Sequence, residues 1–243
     1  MWALFKKEIR SFLSSLIGYI VIVVFLLLTG LFIWGIPNEF NVLDAGYSSL
    51  EPLFFLAPWV FMFLIPAVTM RTFSEEKRTG TIELLFTRPL SDLQIILAKF
   101  LAGVVLVLLI LLPTLVYYFS VYQLGNPPGN LDVGGTWGSY LGLLFLAAGF
   151  VSIGVFSSSV TENQVVSFII AVVLSFFIYI GFEQISSFDL FGGMDYFFVN
   201  LGINEHYISM SRGVLDTRDI VYFISLIAFF IAMTKLKLSA RKW

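Results

Sequence analysis

Six uninterrupted apolar runs, Leu16–Ile36, Leu53–Met70, Phe100–Tyr122, Ser139–Val160, Gln164–Phe182 and Ile220–Thr234, contain no Asp, Glu, Lys, Arg or His. No other feature restricts the fold as sharply. A helix rises about 1.5 Å per residue, so about 20 such residues cross the hydrocarbon core of a bilayer. The first, third and fourth runs meet that length. The last reaches it if Val214–Leu215 extend it on one side and Leu236 and Leu238 on the other. None of the runs alternates apolar with polar residues, as barrel strands would. The first run is longer than the core of a cleavable signal peptide, and no small-residue cleavage site of the Ala-x-Ala kind follows it. Composition agrees: 58% of residues are hydrophobic, Phe occurs 27 times and only 12% are charged, against about a quarter in soluble domains. The expected fold class is an all-α membrane protein with six transmembrane helices, forming one transmembrane domain over residues 1–243.

Lys and Arg set the expected orientation. With the N-terminus in the cytoplasm, the inner pieces hold Lys6, Lys7, Arg10, Arg71, Lys77, Arg78, Arg88, Lys99, Lys235, Lys237, Arg241 and Lys242, and the outer pieces hold Arg212 and Arg218. Cytoplasmic loops carry the excess of basic residues, so both termini are expected inside. The overall charge of −2 averages two faces of opposite character and gives no reason to expect nucleic acid.

Helix starts are marked by three matches to the capping box: Thr72-x-x-Glu75, Ser91-x-x-Gln94 and Thr161-x-x-Gln164. In this motif each side chain satisfies the other residue's free backbone N–H. They are expected to open a cytoplasmic helix, the third span and the fifth span. Ahead of the first span, residues 1–15 place Trp2, Phe5, Ile9, Phe12 and Leu13 on one helical face, with Lys6, Lys7, Arg10 and Ser14 on the other. A basic amphipathic helix of this kind lies in the membrane surface; the alternative is a cytoplasmic extension of the first span.

Two further segments stand out. Residues 71–90, between the second and third runs, carry Arg71, Glu75, Glu76, Lys77, Arg78, Glu83 and Arg88, with Ile82, Leu84, Leu85 and Phe86 close by. Both charge signs within one turn fix register, and the apolar residues supply contact area, which suits docking of a soluble partner; the alternative is a solvated loop. Residues 183–219 are too apolar for a solvated loop and too interrupted to span, with Phe188, Leu190, Phe191, Tyr196, Phe197, Phe198 and Ile203 among polar residues. Backbone at membrane depth must find partners within protein, so a re-entrant helical hairpin is expected before the last span; the alternative is a small folded loop over the helix ends.

No enzyme site emerges. Cys is absent, which excludes disulfides and thiolate metal sites. The single histidine, His206, has no histidine partner for a metal and reads as structural. No apolar run holds the Ser with a His or Lys base that an intramembrane protease needs, nor the ionisable groups usual in proton- or ion-coupled carriers. There is no Gly-x-x-x-x-Gly-Lys-Ser/Thr phosphate loop, so any energy from ATP must come from another subunit.

Taken together, the amphipathic N-terminal helix, the charged segment after the second span, the tight turn between the fourth and fifth spans and the hairpin before the sixth resemble the ABC-2 type permeases. The likeness covers essentially the whole chain and is most specific at Phe73-Ser-Glu-Glu-Lys-Arg-Thr-Gly-Thr-Ile-Glu83. It implies that Phe73, Glu75, Glu76, Lys77, Arg78, Gly80, Ile82 and Glu83 couple to a dimer of a separate cytoplasmic ABC ATPase, alongside the helix of Trp2, Phe5, Lys6, Lys7, Ile9 and Arg10. It also implies that the outer region contains His206, Ser211, Arg212, Gly213 and Asp216, and that ATP and Mg are used by the partner, with no cofactor bound directly. Within the family, Ser209-Met-Ser-Arg-Gly-Val-Leu-Asp-Thr-Arg-Asp219 looks like the gliding-motility permeases of Bacteroidota, which implies a GldA-like ATPase, a GldG-like second membrane subunit and a bacterial inner membrane. Permeases for copper-enzyme maturation look similar. A mechanical or scaffolding subunit that moves no cargo, and an ATP-independent channel, are the other classes the residues allow.

Overall fold

A computed structural model describes residues 1–44, 46–87, 89–187, 199–213 and 216–240. These residues are helical with no strand among them. After α1 (Trp2–Leu13), six helical spans are long and apolar enough to cross a membrane: Leu16–Gly35, Glu51–Arg78, Asp92–Leu124, Val133–Val160, Gln164–Ser187 and Thr217–Ser239. The all-helical, six-span fold class therefore holds.

Several boundaries move, each for a visible reason. The second span does not stop at Met70. That residue keeps helical angles (φ −53°, ψ −27°) and its N–H donates to Pro66 O at 2.8 Å, so the span runs on into a charged turn, Arg71–Arg78. The capping box expected at Thr72 and Glu75 is absent as a result. Thr72 Oγ1 instead bonds back to Thr69 O, and Glu75 pairs with Arg71. The box at Ser91 and Gln94 is fully formed and, as expected of it, opens the third span at Asp92, ahead of the apolar run that begins at Phe100. The fifth span is capped by Asn163, whose Oδ1 accepts from the N–H groups of Val165 and Val166, and not by Thr161. An Asn one residue before the first turn is among the best N-caps, so it displaces the box. The first and fifth spans each contain a π-type turn, at Leu31–Gly35 and Phe177–Gly181.

The fourth span forms the centre, 78% buried, whereas the fifth and last spans are each 22% buried. Small residues admit this packing. A Cβ on Gly154 would overlap Thr69 of the second span, and one on Gly138 would lie 2.7 Å from Met210 O. Close backbone approach through small residues is the usual way helices associate in lipid.

At the end of the bundle where the second and fourth spans begin, helix Ile203–Ser211 packs against the fourth span. Tyr207 is buried and its hydroxyl donates to Phe54 O at 2.7 Å; Ser139 Oγ donates to Ser211 O at 3.2 Å. His206 lies between Asp219 Oδ1 (2.7 Å) and Asn200 O (2.9 Å) and stacks on Tyr222 at 3.9 Å, tying this helix to the last span. Arg212 is exposed, Gly213 turns the chain with φ +82°, and Asp216 accepts from Arg218 N–H to cap the last span. One arm of the expected hairpin is thus a helix that buries Ile203, Tyr207 and Met210 and leaves Glu205 and Ile208 exposed. The stretch Phe188–Phe198 of the other arm, the expected Val214–Leu215 extension of the last span, and the basic residues Arg88, Arg241 and Lys242 lie outside the described residues.

Candidate functional site

The opposite end of the bundle gathers the charge. Lys99, in the second turn of the third span, is 1% exposed. Its ammonium donates to Glu8 Oε1 of α1 (3.1 Å) and to the backbone O of Thr72 (2.8 Å), and it lies 2.9 Å from Glu76 Oε1 in the charged turn. An ammonium has three N–H donors; two of them make these hydrogen bonds, and Glu76 adds a close ion pair. Lys7 closes the ring from the solvent side, 3.1 Å from Glu8 and 3.2 Å from Glu76. The Phe73 ring, fully buried, lies 5.0 Å from Lys99 Nζ and closes the far side. Burial opposes the charge of Glu8, but Lys99 and Lys7 outweigh it and hold the carboxyl below its usual range. Burial likewise opposes the ammonium of Lys7, and Glu8 and Glu76 outweigh it and raise its pKa. Both shifts favour the ionised forms.

This network corrects two expectations. The apolar spans are not free of ionisable groups, because the helix begins before Lys99; full pairing makes its burial tolerable. The inward face of α1 is also not its most apolar stripe. Leu4 and Glu8 are buried, Phe5, Ile9 and Phe12 flank them, and Trp2 is 65% exposed, stacked on Phe5 with Lys6 above its ring. Arg10 is exposed. Ile9, Phe12 and Leu13 line a crevice with Ala102, Val105, Leu106 and Leu109 of the third span, and α1 packs along that span.

The predicted coupling residues divide into two sets. Phe73, Glu76 and Lys77 face inward, and Lys77 donates to Ser159 O at the C-terminal end of the fourth span, where a cation meets the negative end of the helix dipole. Glu75 is half-exposed and paired with Arg71 at 3.0 Å. Gly80, at φ +70°, ends the charged turn and starts the short helix Thr81–Phe86; glycine reaches this left-handed region without strain. Arg78, Thr79, Gly80, Thr81, Glu83 and Leu84 are exposed, Leu84 by 67%, while Ile82 packs partly against the core. The accessible surface is therefore Arg78–Leu84, displaced toward the C-terminal half of the segment. Between α1 and the charged turn lies a cavity of about 260 Å³, walled by Lys7, Glu8, Arg71, Glu75 and Glu76 among others.

Glu8 and Lys99 carry this site, and sequence reasoning passed over both. Signals existed. Glu8 sits midway between Leu4 and Phe12 on the same helical face, and the Ser91 box places Lys99 inside a helix among Ile95, Ile96 and Phe100. Among the described residues no cluster of His, Asp or Glu could hold a metal.

A six-span helical bundle with a packed charged end and an exposed helical turn beside it defines a multi-pass helical membrane subunit. The family model for ABC-2 family transporter proteins matches residues 2–234, and the chain belongs to that family. It is thus a permease subunit of the kind that partners an ABC ATPase carried on a separate subunit. No curated protein matches the sequence.

Proposed function

We propose that this chain couples a dimer of a cytoplasmic ABC ATPase to movement of its own spans, with Arg78–Leu84 as the docking surface and the Lys99 network as the transmission. One observation carries the reading: a single buried ammonium joins α1, the charged turn and the third span. A push on Arg78–Leu84 then reaches the third span through Glu76–Lys99 and the fourth through Lys77–Ser159, and the spans move as packed bodies. ATP and Mg act in the partner, and this chain binds neither. The clustering of basic residues on the network's end supports a cytoplasmic location for that end and for both termini, in the inner membrane of a bacterium. The Ser209–Asp219 resemblance supports a gliding-motility system of the GldF type, with a GldA-like ATPase and a GldG-like second membrane subunit. A second reading, force transmission without cargo, is favoured by the fourth span's burial and by the crevice of about 10 Å³ between it and the first three spans.

The test reverses exposed charges only. Arg78→Glu with Glu83→Lys leaves the buried network intact, so membrane insertion survives, while co-purification of the ATPase falls. Losing close interfacial charge pairs costs about 2–5 kcal/mol, which is more than tenfold in affinity, since about 1.4 kcal/mol is tenfold. The matched reversal at the other end, Glu39→Lys with Asp44→Lys, leaves ATPase retention unchanged. Equal retention by both double mutants would overturn the docking assignment.

A further inference from the structure

His206 joins two elements through contacts that a neutral ring cannot complete. Its Nδ1 lies 2.7 Å from Asp219 Oδ1, and its Nε2 lies 2.9 Å from the backbone O of Asn200. A backbone oxygen and an ionised carboxylate only accept, and neutral imidazole has a single N–H. Both contacts are hydrogen bonds only when the ring carries both protons. In the neutral ring, one nitrogen turns a bare lone pair toward an oxygen.

The carboxylate depends on the same proton. Asp219 is buried, and its Oδ2 has no hydrogen-bond partner. Among the described residues, His206 is the one basic group within ion-pair distance of it. Loss of the ring's charge strands a buried carboxylate, which is costly until water reaches it. The surroundings offer little else. From the last span the ring also meets Tyr222, stacked at 3.9 Å, whose hydroxyl donates to Leu201 O. From the fifth span come Glu183, which accepts from Asn204 Nδ2 at 3.0 Å, and Tyr179, which acts electrostatically on the buried Tyr207. The fourth span brings no charged residue, and its Tyr140 bonds to Thr114. Glu205, Arg212 and Arg218 are exposed.

The two halves of this contact are held unequally. The helix Ile203–Ser211 is also tied to the second span through Tyr207 and Phe54, and to the fourth through Ser211 and Ser139. The last span is only 22% buried. When the contact opens, the start of the last span is therefore the part that shifts.

We propose that His206 and Asp219 form a proton-operated latch between the helix Ile203–Ser211 and the start of the last span. The closed state binds the proton. By linkage it is favoured at low pH, where the ring is charged, and is lost as pH rises through the ring's titration. The latch is independent of ATPase docking, because it lies at the opposite end of the bundle from the charged turn.

The chain suits a direct test, since His206 is its single histidine and it has no cysteine. The full chain is labelled with 15N-histidine, and its ring nitrogens are followed by NMR from pH about 5.5 to about 8.5, the range in which histidine ordinarily titrates. In parallel, Ile208→Cys with Val221→Cys, both exposed positions, carry spin labels that report the distance between helix and last span. Two protonated ring nitrogens are expected at the low end and one at the high end. The distance distribution is expected to shift to longer values over the same interval. With His206→Gln added, the distribution should be the same at both ends, because an amide does not titrate. A ring that is neutral throughout or charged throughout, a distance that ignores pH in the chain with His206, or an equal shift in the His206→Gln chain would overturn the proposal.

Discussion

Lys99 is the residue whose removal should be felt furthest. Among the described residues its ammonium is the only cation behind Glu8 and Glu76 on the protein side, since Lys7 reaches them from solvent. Breaking a buried ion pair by deleting one partner costs about 3–5 kcal/mol, because the remaining charge is stranded. Lys99→Met keeps the length and apolar stem of the side chain and leaves two carboxylates to Lys7 alone. We expect a clear drop in thermal stability in detergent, with partial rescue by Glu76→Gln in the same chain. If the single variant melts as the wild type does, the network contributes nothing to holding this end together.

At the scale of elements, the fourth span organises the bundle because its glycines let neighbours approach. Gly138 faces the backbone of Met210 and Gly213, with Gly213 Cα 2.9 Å from where a Cβ would stand, whereas Gly134 on the same helix meets only the end of Asp132. Backbone cannot yield as a side-chain tip can. Gly138→Ala should therefore cost about 1–3 kcal/mol through overpacking. Gly134→Ala should be neutral or stabilising by up to about 1 kcal/mol through helix propensity. Melting temperatures of the two variants, shifted in opposite directions or at least well apart, are the expected outcome; equal shifts would mean that the outer helix does not press on this span. The spans themselves were legible in the sequence, because apolar runs without charge report the solvent directly. What was not legible was the continuation of one element into the next. The second span passes through Met70 without a break, since a helix needs backbone bonds and not hydrophobicity to continue; the third also begins before its apolar run, but there the Ser91 box marked the start. The same limit hid the site. Glu8, Glu76 and Lys99 read as surface charges one at a time, and only their convergence from three distant segments makes them interior.

For the whole molecule, six spans would place both termini on one side, and the orientation proposed above from the basic residues makes that side the cytoplasmic one. A reporter active only in the periplasm should be silent when fused after Trp243 and active when fused within Asn126–Asn130; the reverse pattern would invert the orientation. The same architecture bears on how the chain is made. Translation delivers Glu8 first, Glu76 next and Lys99 last, with two complete spans laid down before the ammonium that joins them emerges. Until the third span enters the membrane, α1 has no seat and the charged turn has no counter-ion behind it. A chain halted after the second span therefore presents two carboxylates and a bare apolar edge at the membrane surface, the kind of flaw that membrane quality control can recognise. Completion of the third span removes both at once, so the contact proposed to transmit motion in the finished protein would also mark the moment at which its first half is correctly assembled.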